Sequence, residues 1–567
     1  MTKNKSLAIA PRVAITDLLL LAIFFVVTVI IVNPLGSFPL NDDWAYGLTV
    51  KHFLATGDFR PSQWASMTLL SNVLWGALFC LPKGYSLLAL RVSTLVASLA
   101  GILGAYLLVR DVGQSRRAAL LAGLLLGLNP IYYALSFTFM TDIPFATLMI
   151  FSALFFSRHL RHGVDNTLVL ATVLSMVGIL SRQIAIALPL GFAITLIMTR
   201  GCSRQTIARA VLPAVFCLGT LLLFQHWLSA SGRLPDNYNK QVNGLLQALL
   251  SPGSLLAGVA THVYVGLCYL GLFLLPLLLW VAPALFRADA ANGKDARTVA
   301  ALAIALPAGV MGAVAWTQGL TMPLAPNIIE RTGIGPTTMR YVSGRTELPA
   351  DFWVAVSVLS LLGAGLLLAF LLLHARHFFS TFRFGRAETG ARSAALFYFS
   401  STVVYCLPLI VAGGYARYLV CTVPLLVAGM LALVPTRRVV VPQLFVVLLL
   451  VGYAVFTLAT THDYLAWNRT RWQALQELMD KDHVSPADID GGFEFNGQYL
   501  FDPDTRLPAG KDWWWKGNDG ADYRASFGPI PGYSVYRDYA YSNWLPAFTG
   551  HIVILQNIKG DDPSPPH

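Results

Sequence analysis

Acidic and basic side chains recur at the ends of long apolar runs in this 567-residue sequence. Asp42 and Asp43 follow the first run in the stretch LNDDWAYG, and Asp142 opens a later run in SFTFMTDIPF. A carboxylate beside a hydroxyl can take its proton, and an arginine can bind a phosphate through two parallel hydrogen bonds. Arginines stand at three further run ends, namely Arg91, Arg182 and Arg417. These residue types together suit the displacement of a phosphate by a hydroxyl.

Each of these residues also has a simpler interpretation. An arginine at a helix end commonly anchors the helix at the membrane surface, and a loop aspartate commonly caps a helix. Asp142 precedes Ile-Pro, and proline suits the first helical turn, so this acid could simply begin a helix. Charges buried at helix ends are costly unless they are paired or solvated. Acids and arginines gathered at one membrane face therefore favour a functional site.

The composition indicates an integral membrane protein. Hydrophobic residues make up 56% of the chain and charged residues only 12%, against about a quarter in soluble domains. About thirteen apolar runs are long enough to cross a bilayer. The sequence therefore predicts an α-helical polytopic bundle, with the first run retained as a span because it lacks a signal-peptide cleavage site. The runs start near residues 14, 86, 117, 143, 167, 184, 207, 259, 298, 351, 393, 415 and 438.

The distribution of Lys and Arg predicts the orientation. If the N-terminus is cytoplasmic, most basic residues of the apolar region fall in cytoplasmic connections, as the positive-inside rule requires. This topology explains the net charge of +11 without nucleic-acid binding. It requires segment 67–81 to be an interfacial or re-entrant piece rather than a span. The acids and the C-terminus then lie on the extracytoplasmic side, in an inner (plasma) membrane that we expect to be bacterial.

Two parts of the chain are expected to fold separately. Residues 1–460 form the transmembrane domain, with the acids in outer loop 34–85 and a second outer loop at 318–350. That second loop carries Arg340 and is either a solvated connector or a lid that contacts a phosphate. The polar and aromatic sequence of residues 461–567 predicts an extracytoplasmic α/β or α+β domain that contains a strand, HIVILQ. Its aromatic residues, among them Trp513–Trp515, form a core, an interfacial belt or an acceptor-binding face.

The stretches DDWAY, ALRVSTLVASLAGILGAYLLVRD, FMTDIPF, SRQ and GGYARYLVCTVPLL resemble GT-C membrane glycosyltransferases. The resemblance is to the type that includes protein O-mannosyltransferases and lipid A aminoarabinose transferases, glycosyltransferase family 39. It implies a hexosyl- or pentosyltransferase that moves a sugar, with inversion, from a polyprenyl-phosphate donor to a lipid, protein or polysaccharide acceptor. It also implies that Asp42 is the general base, that Asp43 supports it, and that Asp142 is a further catalytic acid. The family pattern opens with Asp-Glu, whereas this chain has Asp-Asp.

Substrate binding is assigned partly by the resemblance and partly by position at the outer helix ends. The predicted substrate-binding residues are Arg91, Arg182, Gln183, Arg340, Arg417 and Tyr418. No cofactor is assigned; a divalent cation is compatible with the adjacent carboxylates, and no metal ligand is assigned. The alternative function is a transporter or flippase of a lipid-linked sugar or another amphiphile. That alternative predicts internal repeats and charges near the membrane midplane. A non-catalytic scaffold predicts that Asp42 and Asp142 can be replaced freely.

Overall fold

The structure is a computed structural model, and it describes residues 14–290, 294–381, 384–385, 390–434, 443–501 and 520–558. Most of the described chain is helical. The helices are α1 (Ile15–Val32), α2 (Asp43–Thr56), α3 (Leu70–Cys80), α4 (Leu87–Asp111), α5 (Arg116–Gly127), α6 (Pro130–Ser136), α7 (Asp142–His162), α8 (Asp165–Ile179), α9 (Ala187–Arg200), α10 (Arg204–Ala230), α11 (Tyr238–Leu250), α12 (Pro252–Ala290), α13 (Lys294–Thr317), α14 (Ala350–Thr381), α15 (Ala391–Ala412), α16 (Ala416–Leu419), α17 (Val423–Leu433), α18 (Gln443–Asp480) and α19 (Phe493–Leu500). The strands are β1 (Ile329–Glu330), β2 (Gly333–Ile334), β3 (Ile489–Asp490), β4 (Tyr523–Ser526), β5 (Tyr533–Trp544) and β6 (Ala547–Asn557).

The predicted fold class, a helical membrane protein with many spans, is confirmed. Among the described residues ten helices are long and apolar enough to cross a membrane, or up to eleven if a bent pair forms one span. The sequence predicted about thirteen. The pair is α5 and α6, which meet at 63° because Asn129 caps a new helix that begins with Pro130. Two other predicted spans are not among the ten. Helix α8 has only 15 residues, and α13 contributes only the shorter apolar helix Ala308–Thr317, which is too short for a span.

The centre of the bundle is formed by α4, α7 and the α16–α17 segment, whose spans are the most deeply buried of those described. The spans of α1, α10 and α18 are mostly exposed, as expected of helices that face lipid. Close packing of helices uses small residues, because α12 and α14 touch backbone to backbone at Gly271 and Gly363. Each central segment has one charged residue in or next to its first turn, at the same end of the bundle: Arg91 in α4, Asp142 in α7 and Arg417 in α16.

The short helix α3 occupies 11 residues of the segment 67–81 and is too short to span the membrane. The residues before it hold the end of α8. The Thr68 hydroxyl donates to the carbonyl of Ile179 at 2.6 Å, and the Leu69 amide donates to the carbonyl of Ser181 at 3.2 Å. These hydrogen bonds fix the break between α8 and α9, where Arg182 lies.

The C-terminal part is an α+β arrangement built on the end of α18. This helix runs unbroken from Gln443 to Asp480, so the predicted domain boundary at residue 460 falls inside it. The sheet order is β3-β4-β6-β5, in which β5 and β6 form an antiparallel hairpin and β3 pairs parallel to β4. Strand β6 contains the predicted strand HIVILQ. Trp513–Trp515 lie outside the described residues.

The second long loop, residues 318–349, packs on this C-terminal part. It contains the small hairpin of β1 and β2. The carbonyl of Thr338 accepts a hydrogen bond from the Phe493 amide at 2.8 Å, and Gly335 lies against the ring of Tyr464. The loop therefore packs against α18 and α19, and α19 in turn contacts Asn41, the residue before Asp42.

Candidate functional site

Asp42 immediately precedes α2, and its backbone carbonyl accepts a hydrogen bond from the Ala45 amide at 3.0 Å. Its side chain is half-buried, and Oδ1 accepts a hydrogen bond from Trp64 Nε1 at 2.8 Å. Burial raises the pKa of Asp42 above its ordinary value of 3.8, while the Arg417 guanidinium lowers it. A carboxylate that is held by an indole and has a raised pKa is suited to accept a proton.

Asp43 has a different environment, although it is the next residue. Its side chain is only 3% exposed, and Oδ1 accepts from the Phe139 amide at 2.7 Å while Oδ2 accepts from the Leu40 amide at 3.2 Å. Burial raises the pKa of Asp43 well above its usual range. Both oxygens hold backbone segments, so the Asp43 carboxylate ties the start of α2 to the segment that precedes α7.

Asp142 and Arg182 form a buried ion pair. Asp142 is the first residue of α7, and its Oδ1 lies 2.6 Å from Arg182 Nη1, with the two side chains 3% and 9% exposed. Arg182 occupies the extended break before the short 3-10 helix Gln183–Ile186, so its side chain leaves the helix axis and reaches α7. Asp142 Oδ2 is buried and has no hydrogen-bond partner among the described residues.

Tyr418 lies between two guanidinium groups. Its ring centre is 4.7 Å from Cζ of Arg182 and 5.3 Å from Cζ of Arg417, distances at which cations are attracted to an aromatic face. Arg417 is 7% exposed, and its Nη2 donates a long hydrogen bond of 3.4 Å to the Tyr418 hydroxyl. Its Nε is buried, and no described group accepts a hydrogen bond from it. We refer to Asp42, Asp142, Arg182, Arg417 and Tyr418 as the carboxylate–arginine cluster.

Tyr46 is a member of this neighbourhood that the sequence analysis did not identify. Its side chain is 2% exposed, and the charges of Asp42 and Arg417 both act on its hydroxyl. Burial raises the pKa of that hydroxyl well above its usual range. The signal was present in DDWAY, because a residue four positions after Asp42 lies on the same face of a helix that begins there.

Arg91 is 1% exposed, and its guanidinium is occupied by backbone carbonyls. It donates to the carbonyls of Pro34 at 2.7 Å, Gly36 at 2.8 Å, Phe38 at 2.9 Å and Phe137 at 2.8 Å. Four of its five N–H donors are therefore used within the protein. Arg91 binds the segment that leads to Asp42, which differs from the substrate contact that the sequence predicted for it.

The two remaining predicted residues lie outside the carboxylate–arginine cluster. Gln183 Nε2 donates to the carbonyl of Ser66 at 3.4 Å, so it contacts the segment before α3. Arg340 is exposed on loop 318–349, with its guanidinium 5.5 Å from the ring centre of Tyr341, whereas the cluster is buried. The structure thus brings together five of the predicted residues and leaves these two at the periphery.

The donor set around the acids does not resemble a metal site. Asp43 accepts from two amides and Asp142 pairs with Arg182, so the acids do not converge on one point. Over the described ranges no group of three or more His, Cys, Asp and Glu side chains could hold a metal ion. Within the described part of the chain, these residues do not fit a divalent cation.

Comparison with known proteins agrees with the resemblance. The family model described as dolichyl-phosphate-mannose-protein mannosyltransferase matches residues 69–229, a segment that includes Arg91, Asp142 and Arg182 but not Asp42 or Arg417. The resemblance that the motifs predicted is thereby confirmed. No curated protein sequence matches the chain.

Two solved structures match most of the chain. They are ArnT from Cupriavidus metallidurans in the apo state and the same protein bound to undecaprenyl phosphate, each with 15% identity and a TM-score of 0.40. The apo structure is matched over 95% of this chain and 98% of that one, and the bound structure over 97% and 100%.

Proposed function

We propose that this protein is an inverting glycosyltransferase that moves a sugar from a polyprenyl-phosphate donor to a hydroxyl acceptor. The carboxylate–arginine cluster carries this proposal. It gathers two acids and two arginines from four distant chain segments at one end of a membrane bundle. Two of its buried polar atoms, Asp142 Oδ2 and Arg417 Nε, have no partner among the described residues. Buried polar groups are normally paired, and hydrogen bonds to a substrate would satisfy these two atoms.

The chemical step uses one proton transfer and one substitution. Asp42 takes the proton of the acceptor hydroxyl while the acceptor oxygen forms a bond to the anomeric carbon. The bond from that carbon to the phosphate oxygen breaks, and its electron pair leaves with the polyprenyl phosphate. The new negative charge develops near Arg417, which binds and stabilises it. Attack opposite the leaving phosphate inverts the anomeric centre.

The other residues support this arrangement. Asp142 holds Arg182 in place, and Tyr418 fixes the spacing of the two guanidinium groups through its ring. Asp43 binds the Leu40 amide and Arg91 binds the Phe38 carbonyl, so both hold the backbone that leads to Asp42, and we assign both to positioning rather than to substrate contact. Tyr46 adds a buried hydroxyl on the same helix face as Asp42.

The location of the cluster suits a lipid-linked donor. A polyprenyl tail must stay in the bilayer while its phosphate reaches the site, and helix ends near the membrane surface satisfy both demands. We propose that this end of the bundle is extracytoplasmic, in the inner membrane of a bacterium, and that residues 461–567 form its soluble part. We further propose that loop 318–349 is a lid over the donor, with Arg340 able to reach the phosphate when it closes.

The test is sugar transfer by the purified protein. A panel of polyprenyl-phosphate sugars is supplied with membrane extract as the acceptor source, and wild type is compared with Asp42→Asn. Removal of a general base lowers turnover by about 100- to 10,000-fold, and we expect that loss with unchanged donor binding. The matched control is Asp58→Asn, an aspartate beyond the other end of α2 that pairs with Arg233 at 2.8 Å.

The outcomes separate the candidate functions. Equal transfer by wild type and Asp42→Asn would remove Asp42 from the mechanism. Transfer from no donor, together with movement of a lipid-linked sugar across vesicle membranes, would favour the transporter or flippase instead. Loss of transfer in Asp58→Asn as well would mean that the assay reports damage to the fold.

A further inference from the structure

Glu494 connects the C-terminal part of the chain to the acidic segment. It lies in the first turn of α19, and its side chain is fully buried. Oε1 accepts a hydrogen bond from the Asn41 amide at 3.0 Å. Oε2 accepts from the Thr338 hydroxyl at 2.6 Å and from Arg471 Nη2 at 2.9 Å. One carboxylate thus joins the residue before Asp42, the loop 318–349 and α18.

The Asn41 amide is a sensitive place for such a contact. Asn41 has φ of 56°, in the left-handed region that non-glycine residues adopt infrequently, and asparagine is among the residues that tolerate it best. This turn aims the chain so that Asp42 begins α2 with its carboxylate toward Trp64. A hydrogen bond to the amide of Asn41 holds the turn directly beside the proposed base.

Aromatic packing reinforces the same link. Trp44, in the first turn of α2, has its ring centre 5.9 Å from Phe493 and 5.2 Å from Phe501, and Gly497 lets α19 approach its indole. The indole of Trp64, which donates to Asp42, also lies 5.6 Å from the ring centre of Phe493. Helix α19 therefore contacts both the backbone before Asp42 and the side chain that holds it.

A purely stabilising role would not require a charge here. Glu494 and Arg471 are both 0% exposed, and a buried ion pair is weak support for stability because both charges lose their hydration. Glu494 of this pair accepts a hydrogen bond from the amide of Asn41, which is the residue before Asp42. The chain keeps a costly buried carboxylate at a position that contacts the backbone of the acidic segment.

We infer that Glu494 is a positioning residue for Asp42, so that the C-terminal part completes the active site rather than serving only as an appended domain. This inference rests on the proposed glycosyltransferase function. It makes the geometry of the base depend on α19 and on Arg471, which fixes Glu494. Residues 41 and 494 are 453 positions apart, so only the folded chain brings them together.

The experiment compares Glu494→Ala with Glu494→Gln in full-length protein. Alanine removes the acceptor for the Asn41 amide, whereas glutamine can keep it through its side-chain carbonyl. A displacement of about 1 Å can cost 100-fold in rate, so we expect Glu494→Ala to lower kcat by about 10- to 100-fold with little change in donor KM. Glutamine should restore part of kcat, because its carbonyl keeps the Asn41 contact while its amide nitrogen replaces the oxygen that accepts from Arg471. The matched control is Glu477→Ala, which removes a carboxylate paired with Lys481 at 3.1 Å.

A pH profile supplies the second measurement. The charged and polar groups that face Asp42 from neighbouring elements are Arg417, Trp64, Asp142 and Glu494. Because the Glu494 anion raises the pKa of Asp42, the neutral glutamine should move the acid limb of kcat/KM to lower pH. A stabilising carboxylate remote from Asp42 would leave that limb in place, whereas the loss of kcat in Glu494→Ala reports the positioning itself.

The results distinguish failure of this inference from failure of the proposed function. If wild type transfers sugar and folded Glu494→Ala has the same kcat, the inference is wrong and the function stands. If Glu494→Ala does not fold, the test uses Glu494→Gln. An acid limb of kcat/KM that stays at the wild-type pH in Glu494→Gln overturns the inference. If wild type transfers no sugar from any donor, the proposed function is wrong and the inference falls with it.

Discussion

Replacement of Arg91 by lysine tests whether this arginine positions the acidic segment or binds the donor. Arg91 makes four hydrogen bonds of 2.7 to 2.9 Å to buried carbonyls, three of them on the segment from Pro34 to Phe38. Lysine keeps the charge but presents its donors from a single nitrogen, so we expect it to lose at least two of these bonds. At about 1.5 to 3 kcal/mol for each hydrogen bond to a charged group, the loss is about 3 to 6 kcal/mol.

The assay is thermal unfolding of the purified variant together with donor-dependent turnover. We expect a lower melting temperature and a reduced kcat, because the segment that leads to Asp42 loses its anchor, while the donor KM stays near the wild-type value. Arg158→Lys is the matched control, since its side chain is 37% exposed and it pairs with Asp111 at 3.0 Å. Lysine keeps the charge beside Asp111, and Arg161 also pairs with Asp111 at 3.2 Å, so that variant should melt like wild type. A normal melting temperature with a raised donor KM in Arg91→Lys would refute the positioning role and would indicate that Arg91 contacts the donor.

Two further predictions concern the charges of the cluster. Asp42 must be ionised to act as a base, so kcat/KM should fall as the pH drops through the pKa of Asp42, which lies above 3.8. Arg417→Gln removes the cation that lowers this pKa, so it should move the acid limb to higher pH. A limb that stays in place in the Arg417 variant, in a pH series of initial rates, would contradict this assignment. Asp142→Asn should lower stability by about 3 to 5 kcal/mol because it leaves Arg182 buried without its partner, and adding Arg182→Gln should recover part of the loss. A double-variant cycle of melting temperatures measures this coupling, and additive effects would show that the ion pair is not coupled.

The sequence predicted the class of the fold and most of the cluster for identifiable reasons. Apolar runs long enough to span a bilayer have few alternatives, so the helical bundle followed from composition. Asp42, Asp142 and Arg417 were found because charges at helix ends are rare in membranes. The count of spans was less certain, since the Asn129-Pro130 cap that bends α5 against α6 leaves the hydropathy of the run almost unchanged.

The sequence could not assign the role of each arginine. Arg91 and Arg417 both stand at the start of a central membrane segment and are both buried, at 1% and 7% exposure. They differ in which carbonyls the fold brings within reach, because the segment 34–38 packs against Arg91 and not against Arg417. The same limit applies to Glu494, whose partners lie in three distant parts of the chain.

The difference between these two arginines also indicates where the chemistry takes place. A buried polar atom without a partner costs about 1 to 3 kcal/mol, so a substrate group that pairs with it binds more favourably. Arg91 has four of its donors satisfied by the backbone, whereas Arg417 Nε and Asp142 Oδ2 lack partners among the described residues. A substrate phosphate and an acceptor hydroxyl would supply the missing hydrogen bonds. We therefore expect Arg417 and Asp142 to contact the substrates. We expect Arg91 to hold the segment that leads to Asp42.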